Sequence, residues 1–190
     1  SFFRSLGLTK AAFAVGLARR YADFSCKSAS KSRRCRLSDQ SADMFSLFLG
    51  QCAAHPQAPF LIAPDSSVLS YDAARRRAAQ IAHAFRAQGV RPGDRIAIQV
   101  EKSQTALLTW LAALQAGAVY LPLNTGYTTG ELRYFLGDAQ PALLLCRPED
   151  EAALGSLCAE IGVPALLTLD AEGTGGTLVA AADSQSESFA

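Results

Sequence analysis

The stretch GVRPGDRIAIQVEKSQTALLTWLAALQAGAVYLPLNTGYTTGELRYFLGDAQP, residues 89–141, decides the fold. Gly89 closes the helix before it, and Arg91-Pro92-Gly93-Asp94 makes a turn, because Pro presets φ and Gly supplies the conformational freedom a tight turn needs. Arg95 to Val100 then reads as a strand with Ile96, Ile98 and Val100 on one face. Ser103 caps a helix whose Leu107, Leu108, Leu111 and Leu114 point to a core, and Gly117 ends it. Ala118 to Leu121 returns as a strand, Pro122 breaks it, and the Asn124-Thr125-Gly126 loop follows. Thr128-Thr129-Gly130-Glu131 forms a capping box for a helix ending near Gly137. The unit is strand, helix, strand, helix.

The same alternation continues on both sides. Downstream, Ala142 to Cys146 is a buried strand, Pro148 to Ile161 a helix with Pro at its start, and Ala165 to Leu169 another strand. Upstream, Phe45, Leu47, Phe48, Leu49 and Cys52 mark a short helix stopped at His55-Pro56. Phe60 to Ala63 and Val68 to Ser70 form a hairpin about Pro64-Asp65-Ser66. Ser70 caps a helix from about Tyr71 to Gln88, with Ala74, Ala78, Ile81, Ala82 and Phe85 on its inward face. Helices alternating with apolar strands imply an α/β fold whose parallel sheet is covered on both faces.

The ends differ from this middle. Residues 1–43 carry nine Lys/Arg against three Asp, whereas residues 44–190 carry nine against fourteen Asp/Glu, so the overall charge of +1 hides two kinds of sequence. Residues 1–43 start at Ser1, hold SCKSASKSRRCR, and are read as lying outside the fold. Three readings stay open: sequence upstream of a true start at Met44, the only methionine; a mitochondrial transit peptide; or a basic tail for nucleic acid or an anionic surface. Residues 44–170 form the folded part, and the Gly-, Ser- and Thr-rich residues 171–190 read as a linker or surface loop. Cys26, Cys35, Cys52, Cys146 and Cys158 have no metal-ligand spacing and read as reduced thiols of a cytoplasmic protein, or of a matrix protein if the transit reading holds. No apolar run reaches the ~18 residues of a membrane span.

The pieces Gly89-Val90-Arg91-Pro92-Gly93-Asp94-Arg95, Val100-Glu101-Lys102-Ser103, Ala116 to Thr125, Tyr127-Thr128, Glu131-Leu132 and Tyr134 to Ala139, in this order, carry a resemblance. Over about Met44 to Leu169 the chain resembles the N-terminal part of the acyl-adenylate-forming (AMP-binding) enzymes, most nearly the malonyl-CoA synthetase branch of the acyl-CoA synthetases. The resemblance implies the first part of that family's large N-terminal domain. It implies an ATP-dependent acid–thiol ligase that makes an acyl-adenylate with Mg²⁺ and passes the acyl group to coenzyme A, here from malonate or a close dicarboxylate. It also implies a small carboxylic acid as substrate; the net-acidic charge of the globular part, for its own reason, speaks against nucleic acid as its partner.

The family's Ser/Thr/Gly-rich loop followed by Lys, its later adenylate-binding segment and its catalytic Lys have no counterpart in this chain. No catalytic, cofactor-binding or metal-binding residue is therefore assigned, and the chain alone is expected to be inactive and to bind none of these cofactors tightly. Gly173-Thr174-Gly175-Gly176-Thr177 is the nearest imitation of the loop, but it lacks the Lys and reads as a surface loop. Glu101-Lys102 reads as a solvated pair, His55 and His83 as surface residues, and Arg75-Arg76-Arg77 as a solvated helix face. Asn124 to Tyr127, at the carboxyl end of a parallel strand, is the best candidate contact region. Two alternatives remain: a complete small flavodoxin-like module binding a nucleotide or protein, and an interaction protein acting through residues 1–43.

Overall fold

The computed structural model describes residues 43–63 and 66–189. Cys26, Cys35 and every reading of residues 1–42 lie outside the described residues, as do Pro64 and Asp65 of the hairpin turn. Asp43 accepts a hydrogen bond from Ser46 N at 2.6 Å and so caps helix α1, Met44–Ala54. Phe48 and Cys52, one turn apart, are the buried residues of α1. The ring of Phe48 meets Phe60 edge-on at 5.3 Å, and Phe60 meets Tyr71 at 5.2 Å, which seats α1 against the hairpin of β1 (Pro59–Ile62) and β2 (Val68–Ser70).

Helix α2, Tyr71–Ala87, begins at the Ser70 cap, and its predicted inward face of Ala74, Ala78, Ile81, Ala82 and Phe85 is buried throughout. The chain then runs through β3 (Arg95–Ile98), α3 (Gln104–Gln115), β4 (Val119–Pro122), α4 (Thr129–Ala139), β5 (Leu143–Cys146), a 3-10 turn at Pro148–Asp150, α5 (Glu151–Ile161), β6 (Leu166–Thr168) and α6 (Thr177–Asp183). The four long-range strands are parallel in the order β4-β3-β5-β6.

Period-two alternation distributes the two cores. Ile96, Ile98, Leu143 and Leu145 face α1, α2, α3 and α6, whereas Ala97, Leu144 and Cys146 face Leu132 and Leu136 of α4 and Leu154, Leu157 and Cys158 of α5. Because both faces are covered, β5 is buried at every residue, as its unbroken run of apolar side chains implied.

Several local expectations change. Strand β3 stops at Ile98 rather than Val100, and Pro122 is the last residue of β4, paired with Ile98, rather than a break before it. An edge strand tolerates proline, since no further strand needs its missing N–H. Leu107 is 37% exposed, not core: Leu108, Leu111 and Ala112 take the inward side of α3, and Leu107 looks toward Leu61 and Ile62 of the hairpin. Helix α4 passes Gly137 and ends at Ala139, capped by Gln140, whose φ of 46° places it in the left-handed region before Pro141.

Residues 171–190 are not simply a linker or surface loop, because α6 lies within them. Only Leu178 and Ala182 are buried on α6, a single i, i+4 pair, so no helical period shows in the sequence. Gly176 makes the approach possible: at φ 104° it passes so close to Thr168 that a Cβ would overlap the Thr168 carbonyl.

Candidate functional site

From β3 the chain crosses by α3 to β4 on one side and returns by α4 to β5 on the other. This reversal puts the topological switch at the carboxyl ends of β3 and β5, where open α/β sheets receive ligands. There Arg147 lies 3.9 Å from Glu101 and 2.7 Å from Asp150, with Glu149 at 3.5 Å. One strand over, the loops after β3 and β4 enclose a cleft of about 660 Å³ lined by Val100, Glu101, Lys102, Pro122, Leu123, Asn124 and Thr125.

Of the Asn124 to Tyr127 region, Asn124 and Thr125 thus line one wall of the cleft, and Gly126 and Tyr127 do not. Asn124 Oδ1 accepts from Gly126 N at 2.9 Å and Asn124 O accepts from Tyr127 N at 3.1 Å, so the turn is closed on itself. Tyr127 stacks on Phe135 of α4 at 4.9 Å. Lys102 is exposed at the opposite wall, and Glu101 turns to Arg147 instead of pairing with it. Sequence reasoning missed Arg147: Glu149 and Asp150 are its neighbours in the chain, but Glu101 comes from the separate loop after β3.

Residues 173–177 lie between β6 and α6, a strand-to-helix setting that the sequence did not reveal, yet they hold no exogenous anion site. The backbone N–H of Gly175, then those of Thr174 and Gly173, hold the Asp170 carboxyl below its ordinary range, and Thr174 N reaches Asp170 Oδ1 at 2.8 Å. The chain's own carboxylate fills the cradle, and Thr105 Oγ1 donates to Gly173 O at 2.6 Å to pin it to α3.

His83, Arg76 and Arg77 do more than present a solvated face, although Arg76 is exposed. Arg77 pairs with Asp183 at 2.7 Å, Arg76 with Glu187 at 3.4 Å, and His83 Nε2 lies 2.8 Å from Ser188 O. Phe189 packs edge-on against His83 at 4.6 Å and lies under Arg86 at 5.0 Å. These residues are a clamp for segment 183–189, while Arg75 turns to Asp72 at 2.9 Å. His55 is exposed. Cys52, Cys146 and Cys158 are free and buried, and among the described residues no cluster of three His, Cys, Asp or Glu side chains could hold a metal ion.

A family model described as AMP-binding enzyme matches residues 48–188. The chain belongs to the AMP-binding enzyme family. Its fold is similar to MatB from Rhodopseudomonas palustris, solved apo and ATP-bound, with a TM-score of 0.74 and 36% identity over 78% of this chain and 29% of that one. In sequence it is 38% identical over 114 residues to enterobactin synthase component F from Escherichia coli (strain K12), covering 57% of this chain and 9% of that protein. It is 39% identical over 93 residues to feruloyl-CoA synthase from an Amycolatopsis species, covering 49% of this chain and 19% of that protein. This AMP-binding chain therefore spans less than a third of each of these relatives. The four-stranded parallel sheet and its flanking helices match the N-terminal part of the family's domain. No described helix is long and apolar enough to cross a membrane.

Proposed function

We propose that this chain is the N-terminal part of an ATP-dependent acid–CoA ligase of the malonyl-CoA synthetase type, with residues 44–170 as the first portion of its AMP-binding domain. The observation that carries the reading is the 36% identity to MatB across 78% of the chain at a TM-score of 0.74. The feruloyl-CoA synthase relative supports an acid–thiol ligase more broadly.

The chemistry needs two displacements. A carboxylate oxygen attacks the α-phosphorus of ATP and pyrophosphate leaves, giving an acyl-adenylate. The thiol sulfur of coenzyme A then attacks the acyl carbon, and AMP leaves with the electron pair of the broken C–O bond. Charge on the phosphates calls for N–H groups and cations. The described residues supply no such set: the Gly173 to Thr177 cradle is occupied by Asp170, and the acidic residues do not gather for Mg²⁺, so no step is assigned to a metal here. What this chain contributes is shape. The loops after β3 and β4 wall the cleft at the carboxyl end of the sheet, and Lys102 brings a positive charge to it. The free buried thiols favour a reducing, cytoplasmic setting.

The purified chain, mixed with ATP, Mg²⁺, malonate and coenzyme A, is expected to release no pyrophosphate, and clear turnover would overturn the reading of an inactive N-terminal part. Codons following Ala190 that continue into a Ser/Thr/Gly-rich loop and a Lys support the ligase, whereas a stop codon there favours a small binding module.

A further inference from the structure

We infer that Gln99 is a positioning residue of the cleft, whose side-chain amide pins the Asn124–Gly126 loop and thereby sets the wall that a ligand meets. Gln99 lies one residue beyond β3 and is 2% exposed. Its backbone N–H donates to Leu145 O of β5 at 2.8 Å, and its Nε2 donates to Asn124 O at 2.9 Å. One residue thus ties together the carboxyl ends of three neighbouring strands.

The orientation of the amide follows from its chemistry. A backbone carbonyl only accepts, so the nitrogen must face Asn124 O, and Gln99 Oε1 is left buried without a partner. Such an orphaned acceptor is destabilising, and a leucine of similar size would avoid it. The gain that offsets it is the bond made by Nε2. Asn124 O also receives Tyr127 N, and Asn124 Oδ1 receives Gly126 N, so Gln99 fastens to the sheet a turn that is otherwise bonded largely to itself. Asn124 and Thr125 form the wall opposite Glu101 and Lys102, and loss of the pin frees that wall.

The inference takes from the proposed function only that this cleft receives ligand, and its test reads the loop directly. Amide hydrogen exchange would be followed by NMR on the full 190-residue chain. In Gln99→Leu the Gly126 and Tyr127 amides are expected to exchange about tenfold faster, while amides of β5 and α2 and the thermal midpoint stay near wild type. In Gln99→Glu a protonated carboxyl can still donate to Asn124 O and an ionised one cannot. Exchange at Gly126 and Tyr127, corrected for intrinsic rates, should therefore match wild type at about pH 5 and be released at about pH 8. The same profile on wild type controls for the charged groups at that end of the sheet, Glu101, Lys102 and Arg147. Unchanged exchange at Gly126 and Tyr127 in Gln99→Leu, or uniform acceleration across the sheet, would overturn the inference. If the glutamate variant does not fold, the leucine variant decides alone. Failure of the ligase reading would show in the codons downstream of Ala190, and would leave these rates as they are.

Discussion

Gly176 shows how far a single residue can constrain this fold. Its φ of 104° and its closeness to Thr168 leave no room for a side chain, and the Thr168 and Thr177 hydroxyls and N–H groups close around it, with bonds of 2.8 and 3.0 Å. Gly176→Ala is expected to cost about 2–4 kcal/mol in urea unfolding, because backbone rather than a flexible side chain must give way. Cys146 makes the second prediction at this scale. Burial, then Asp150 and nearby charges, pushes its thiol up to about 12. The native thiol should resist iodoacetamide at pH 8, reacting at least about a hundredfold faster once urea unfolds the chain. Because the folded state keeps this proton more tightly than the unfolded one, its contribution to stability is full below the ordinary thiol value of 9.0. It is lost as pH climbs from there toward 12. Urea unfolding at stepped pH should show that decline, and Cys146→Ala should reduce it. No sequence pattern signalled Gly176, which sat in a run of small residues, whereas the burial of Cys146 follows from the apolar run read as a buried strand.

At the scale of elements, helix starts were legible and helix partners were not. Ser70, Ser103 and Thr128 each cap the helix assigned to them, accepting from Ala73 N, Ala106 N and Glu131 N, since a cap bonds a backbone group only three residues away. The Thr128 box is reciprocal, with Glu131 accepting from Thr128 N at 2.8 Å. Thr128→Ala should destabilise the chain by about 1 kcal/mol, measured by thermal unfolding. The Thr128 N–H and hydroxyl hold the Glu131 carboxyl below its ordinary value of 4.5, so the box contributes above that pH and weakens as the carboxyl is protonated below it. By contrast, α6 was read as part of a loop because seven residues with one buried pair show no period. The Arg76, Arg77 and His83 clamp was read as solvated because its partners are more than a hundred residues away in sequence.

Across the whole molecule, one sheet divides two cores. Leu145 is fully buried in the larger core, and Leu145→Ala should cost about 2–5 kcal/mol, since packed neighbours collapse only partly into the cavity. Leu47, 56% exposed on α1, should change stability by under about 0.5 kcal/mol when replaced by Ala, and urea unfolding of both variants checks the contrast. The candidate site was half legible. Asn124 to Tyr127 stood out as a loop after a parallel strand, but its opposing wall, Arg147 and the Gln99 pin did not. Strand alternation gives no reason to expect a glutamine at 2% exposure just beyond β3.

The sequence by itself determined the alternation of strands and helices, their caps and turns, and the family signature from Tyr120 to Asp138. Each depends on contacts within about four residues or on a fixed order of pieces along the chain. Only the tertiary structure decided the strand order β4-β3-β5-β6, the cleft between the loops after β3 and β4, the filling of the glycine cradle by Asp170, and the clamp on segment 183–189. Those features join residues that become neighbours once the sheet has assembled, and such pairing leaves no periodic trace in the chain.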